Sequence, residues 1–229
     1  MRIVYSLVLA AALLFTACGS GDNKSKKPKA KENGTQYVGD EQGNGIQYAY
    51  KNWILVSEIP MKEKDVHGLA KEYYDDGKIH FERNYNMGKL EGMVIEYYST
   101  GEKYMETLYV NNKIDGTQYR YKKDGTIIFE VPYEKGLPIP GIKEHDANGK
   151  LVEQPTIVFT RKGGNLEMKM SNNTKAANFY QIVDTDKFKV PSEDGVGKLA
   201  LGNAPKGSLK IRAAYRTAYG NMGAVEAQY

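Results

Sequence analysis

His67-Gly68-Leu69-Ala70-Lys71-Glu72-Tyr73-Tyr74-Asp75-Asp76-Gly77-Lys78-Ile79-His80-Phe81-Glu82-Arg83-Asn84-Tyr85 is the stretch that decides the fold, because the chain repeats it in outline twice more. Glycines recur at Gly68, Gly92 and Gly116, and again at Gly77, Gly101, Gly125 and Gly149. Tyrosines keep the same step, with Tyr73, Tyr97 and Tyr121 in one set and Tyr85, Tyr109 and Tyr133 in the other. The step is 24 residues, and a fixed period of that size marks a repeat architecture.

Each unit reads as a pair of strands. Asp76-Gly77, Asp124-Gly125 and Asn148-Gly149 tolerate positive φ, which predicts two-residue turns of the primed type at those dipeptides. Gly88, Asn112 and Gly136 hold a second turn position between units. Between turns the side chains alternate with period two. Ile79, Phe81, Arg83 and Tyr85 fall on one parity, and His80, Glu82 and Asn84 on the other. This predicts a mainly apolar, aromatic face and, opposite the tyrosines, a row of Glu82, Glu106 and Glu130 spaced about 9–10 Å apart. The fold class is all-β, with an antiparallel meander of hairpins over residues 45–153.

The order glycine, four residues, tyrosine, three residues, glycine, seven residues, tyrosine resembles the MORN-type repeat, in the bacterial variant often described as an antitoxin component. The resemblance spans about residues 67–153. The unit after Gly141 departs from it, because the step there is 25 and His145 stands where the first tyrosine belongs. An atypical terminal unit is expected of a repeat array. The resemblance implies a protein-interaction or membrane-proximal module.

Upstream, Gly45 opens a strand-like segment with Tyr48, Tyr50 and the single tryptophan, Trp53, which reads as an N-terminal cap. Downstream of residue 154 the period is lost. Runs at 156–159, 166–170, 179–183 and 209–215 are strand-like, punctuated by Asn172-Asn173, Gly195-Val196-Gly197 and Gly220-Asn221. They predict a small β-sandwich-like C-terminal module over 154–229, and the closing hairpin resembles that of an immunoglobulin or fibronectin type III domain.

Residues 1–18 combine Arg2, a short apolar run and small residues before Cys18, the only cysteine. These are the parts of a secretory signal peptide, and the run is too short for a span. Leu14-Phe15-Thr16-Ala17-Cys18 resembles a bacterial lipobox, which implies that Cys18 is acylated. By resemblance to Gram-negative lipoproteins, the absence of Asp after Cys18 implies the outer membrane. Residues 19–44 carry Lys24, Lys26, Lys27, Lys29 and Lys31 among small polar residues and read as a disordered tether.

The chain's formal charge of +4 comes largely from that lysine cluster, so nucleic acid is not an expected partner. His67, His80 and His145 show no metal-ligand spacing, no catalytic motif is present, and no cofactor is implied. The expectation is therefore not an enzyme but an envelope lipoprotein. It would be held to the membrane by its N-terminal lipid and would bind an envelope protein through its repeats. The candidate binding surface comprises Tyr73, Tyr85, Tyr97, Tyr109, Tyr121, Tyr133, Glu82, Glu106 and Glu130. A glycan- or peptidoglycan-binding role for exposed tyrosines is the alternative. An antitoxin role conflicts with export, since a cytoplasmic toxin would be out of reach.

Overall fold

A computed structural model describes residues 27–229. The predicted signal peptide, Cys18 and the start of the predicted tether lie outside the described residues. The first part of the chain runs through β1 (Asn33–Gly39), β2 (Gly45–Lys51), β3 (Ile54–Lys62), β4 (Asp65–Val66), β5 (Gly68–Tyr73), β6 (Ile79–Asn86) and β7 (Lys89–Tyr97). It continues through β8 (Lys103–Val110), β9 (Lys113–Ile114), β10 (Gly116–Tyr121), β11 (Ile127–Glu134), β12 (Leu137–Pro138) and β13 (Lys143–Glu144). The rest forms β14 (Ile157–Lys162), β15 (Asn165–Met170), β16 (Asn178–Val183), β17 (Asp186–Val190), β18 (Ser192–Glu193), β19 (Val196–Ala200), β20 (Lys210–Arg216) and β21 (Met222–Gln228).

Strands β1 to β13 make one antiparallel sheet in chain order, 13 strands in all. The meander is therefore as the period predicts, with one extension. Strand β1 lies inside the segment read as a tether and pairs with β2 from Asn33↔Lys51 to Gly39↔Gly45. Composition missed it because Tyr37 and Val38 are its only sizeable apolar residues, and the neighbouring strand supplies the rest of the pairing energy.

The two turn types exchange places relative to the sequence reading. At Asp75-Asp76-Gly77, Gly77 N donates to Tyr74 O at 2.9 Å and Tyr74 N donates to Lys78 O at 2.8 Å. Only Gly77 has positive φ, at 83°. That is a three-residue loop ending in a left-handed glycine, and residues 98–102 and 122–126 repeat its bonding. The two-residue primed turns sit instead at Met87-Gly88 (φ 44° and 77°), Asn111-Asn112 (48° and 66°) and Lys135-Gly136 (50° and 86°). An Asp-Gly pair suits both turn types. Loop length decides between them, and strand register sets loop length.

The primed turns also stack on one another. Gly88 N donates to Val66 O (2.8 Å), Asn112 N to Leu90 O (3.0 Å) and Gly136 N to Ile114 O (2.7 Å), again at the 24-residue step. Each unit thus closes its turn against the one before it, which is why the period is strict here.

A bulge in each unit changes the faces. Glu72 pairs with Phe81 but Tyr73 pairs with Ile79, so His80 has no partner, and the same shift leaves out Tyr104 and Ile128. Alternation across a bulge is broken. Ile79 therefore lies on the opposite face from Phe81, and simple parity fails at that point.

Beyond β13 the chain builds two four-stranded sheets, ordered β14-β15-β19-β18 and β17-β16-β20-β21. Leu166, Met168 and Met170 from one meet Phe179, Val190, Ile211 and Tyr215 from the other in a continuous core. The sandwich is as predicted, and its strand order matches the immunoglobulin-like arrangement. Val196 and Gly197, expected in a turn, instead begin β19. A Cβ on Gly197 would stand 2.8 Å from Met168 Cγ and 2.9 Å from Phe179 Cδ2, so the glycine is there to let the two sheets close.

The sandwich caps the last strands of the repeat sheet. Glu144, only 1% exposed, accepts hydrogen bonds from Thr217 Oγ1 (3.0 Å) and from Asn221 Nδ2. Lys187 Nζ donates to Glu134 at 2.9 Å, and Tyr215 donates its hydroxyl proton to Gln154. Phe129, Val131 and Ile142 are sealed at this end.

Candidate functional site

The repeat sheet offers two surfaces, and the structure divides the nine predicted residues between them. Tyr73, Tyr97 and Tyr121 share a face with Glu82, Glu106 and Glu130, whereas Tyr85, Tyr109 and Tyr133 stand on the other. The expectation of a glutamate row opposite the tyrosines is therefore corrected for one of the two sets. The bulge at 80, 104 and 128 leaves the first tyrosine set on the glutamate side. All nine side chains are half-buried, so neither set forms a dry core.

On the glutamate face the two residue types are joined. Tyr97 donates its hydroxyl proton to Glu82 Oε2 at 2.8 Å, and Tyr121 donates to Glu106 Oε2 at 2.6 Å. Tyr73 stands in the same relation to Glu58, whose charge adds to the upward shift of its phenol. Each tyrosine thus reaches back one unit to the preceding glutamate. Hydrogen bonds to charged groups are the stronger kind, about 1.5–3 kcal/mol when well buried, and half-exposed pairs such as these fall below that range. A lysine completes each rung. Lys71 stands 3.3 Å from Glu82, Lys103 pairs with Glu106, Lys143 lies 3.1 Å from Glu130, and Lys27 pairs with Glu58. At the last rung His145 holds the tyrosine slot and its Nδ1 has no hydrogen-bond partner.

Sequence reading missed Glu58 and the lysines. Glu58 sits one period before Glu82, so the step alone was enough to find it. Lys71 and Lys143 stand three periods apart, but Ile95 and Tyr119 fill that phase between them and Lys103 lies outside it, so only the folded sheet brings the three lysines to the row.

Burial and the adjacent carboxylates raise the phenols. Tyr73 and Tyr97 are each pushed up to about 12, and Tyr121 is raised further, with burial the larger cause and Glu58, Glu82 and Glu106 adding to it. Unfolded tyrosine ionises near pH 10. Between pH 10 and about 12 the folded chain keeps protons that the unfolded chain loses, so stability is fully present below pH 10 and falls through that window. Thermal melts are expected to drop steeply there, and Tyr97→Phe to shallow the slope. A melting temperature that stays level from pH 10 to pH 12 would contradict the ladder.

The opposite face is aromatic with a charged patch. Arg83 lies 4.1 Å from the Phe81 ring centroid and pairs with Glu72. His80 stacks on Tyr74 with ring centroids 4.1 Å apart and lies 3.7 Å from Glu96. Burial holds the His80 imidazole below its ordinary value and raises the Glu96 carboxyl. Tyr74 and Tyr98 donate to the backbone oxygens of Tyr97 (2.6 Å) and Tyr121 (2.8 Å), which ties neighbouring units together. Among the described residues no group of three His, Cys, Asp or Glu is placed to hold a metal ion.

This unit geometry has a counterpart among known proteins. Residues 66–87 match the MORN repeat variant. The matched span covers most of one unit, from the end of β4 to the first residue of the primed turn after β6. The next two units repeat its loop and its bulge. The chain therefore carries a MORN-type repeat, which suggests a binding module built from repeats. Comparison with curated proteins gave no match.

Proposed function

We propose that this protein is a lipid-anchored envelope protein whose MORN-type sheet docks a protein partner on its aromatic face. One observation carries the docking reading. Phe81, Tyr85, Met105 and Tyr109 remain half-exposed in the middle of the sheet, whereas Phe129 and Val131 on the same face are buried in a cluster with Ile142, the residue that meets Gly223 of the sandwich. A single sheet cannot bury both faces by itself. A half-apolar surface with phenol hydroxyls and a neighbouring arginine suits a protein interface. The anchor rests on the lipobox-like stretch ending at Cys18, and the outer membrane is its proposed location. No catalytic role is part of the proposal.

Capture of partners from detergent-solubilised envelope tests it. Phe81→Glu combined with Met105→Glu is expected to lower capture by about tenfold or more, as truncating a buried anchor does. Phe188→Ser, on an exposed site of the sandwich, should leave it unchanged. Equal capture by both variants would overturn the docking face, and retention on glycan arrays without protein capture would favour a sugar ligand.

A further inference from the structure

We infer that residues 27–29 clasp the N-terminal end of the chain onto the glutamate face, so that a leash of only eight residues (19–26) separates the sheet from the acylated Cys18. The clasp stands on contacts in the structure, and the leash rests in addition on the lipid-anchor reading above.

Three consecutive residues step across the strands. Lys29 O accepts from Gln36 Nε2 on β1 at 3.0 Å, and Pro28 O accepts from the Tyr50 hydroxyl on β2 at 3.0 Å. Lys27 then reaches over β3 to pair with Glu58, with its ammonium 5.9 Å from the centroid of the Tyr73 ring on β5. The other three glutamates of the row take their lysines from within the sheet, while Glu58 takes its lysine from this segment. Burial follows the clasp. Tyr48 and Tyr50 beneath it are 2% and 6% exposed, while Tyr73, Tyr97 and Tyr121 further along the face are half-buried.

The geometry sets the reach of the anchor. An extended chain spans at most about 3.3–3.6 Å per residue, so eight residues reach about 29 Å, against about 90 Å for a free segment 19–44. The chain also leaves from the glutamate side. Part of the hold is an ion pair with an exposed lysine, so the clasp weakens in salt.

Two measurements separate the clasp from the anchor. Zero-length carbodiimide coupling of the purified full chain, read by peptide mass spectrometry, is expected to join Lys27 to Glu58 alongside Lys71 to Glu82 and Lys143 to Glu130. Glu58→Gln removes the first product alone. Recovery of the two sheet products without Lys27–Glu58 overturns the clasp, whether or not the chain is acylated. The second measurement is energy transfer from Trp53, the only tryptophan, to a dansyl lipid in vesicles that carry the natively processed protein. Lys27→Glu combined with Tyr50→Phe and Gln36→Ala removes all three contacts and frees the chain as far as Glu32, whose carbonyl accepts from Trp53 N. The leash then lengthens to about 13 residues and transfer falls about twofold. Unchanged transfer overturns the short leash. Protein that does not associate with the vesicles refutes the anchor instead, and the coupling result still decides the clasp.

Discussion

Cys18→Ser is expected to move this protein from the membrane pellet to the soluble fraction. The argument is one of scale. Each acyl methylene buried in a bilayer contributes about 0.8 kcal/mol, and stable anchoring takes two such signals. A lipidated Cys18 with two or three chains is held for practical purposes permanently. Without it, what remains is the lysine cluster at positions 24–31, whose attraction to anionic headgroups is screened by salt. Fractionation in high salt therefore discriminates. A serine variant that still pellets with membranes would show that some other surface binds the bilayer and would remove the basis of the anchor.

Phe179→Ala should be the most damaging single change in the C-terminal sandwich. The ring is fully buried, touches the site of Gly197, and belongs to the core shared by both sheets. Truncating a buried phenylalanine costs about 3–5 kcal/mol, in part because the cavity collapses incompletely. Against a total of about 5–15 kcal/mol for a domain, that is a large share. The melting temperature of a module this small is expected to fall by more than about 10 °C. Phe188→Ala, in the same sheet but 54% exposed, should change stability by about 0.5 kcal/mol or less. Similar melting shifts for the two would defeat the assignment of the core.

Particular positions show where sequence reading succeeded and failed. The period placed Gly88, Asn112 and Gly136 in turns because a backbone position with positive φ admits few residue types. It misassigned the loop type at Asp76-Gly77 and the face of Ile79 because both depend on how many residues separate paired partners. Tyr73 and Tyr85, both expected opposite the glutamates, stand on opposite faces, since one residue of bulge between their strands inverts the alternation. Strand β1 was hidden because an edge strand bordering an already formed sheet needs little apolar character of its own.

The chain alone determined that this is an all-β repeat of 24-residue hairpins followed by a second β-rich module, because recurring turn glycines and runs of alternating side chains report where the backbone turns and where it is extended. Tertiary structure alone decided which residues meet: the Tyr–Glu–Lys rungs, the bonds from Thr217 and Asn221 to Glu144, and the seat of Lys27 on Glu58. Those contacts join residues from separate strands, and register across the sheet, which carries no mark in any single segment, sets their partners.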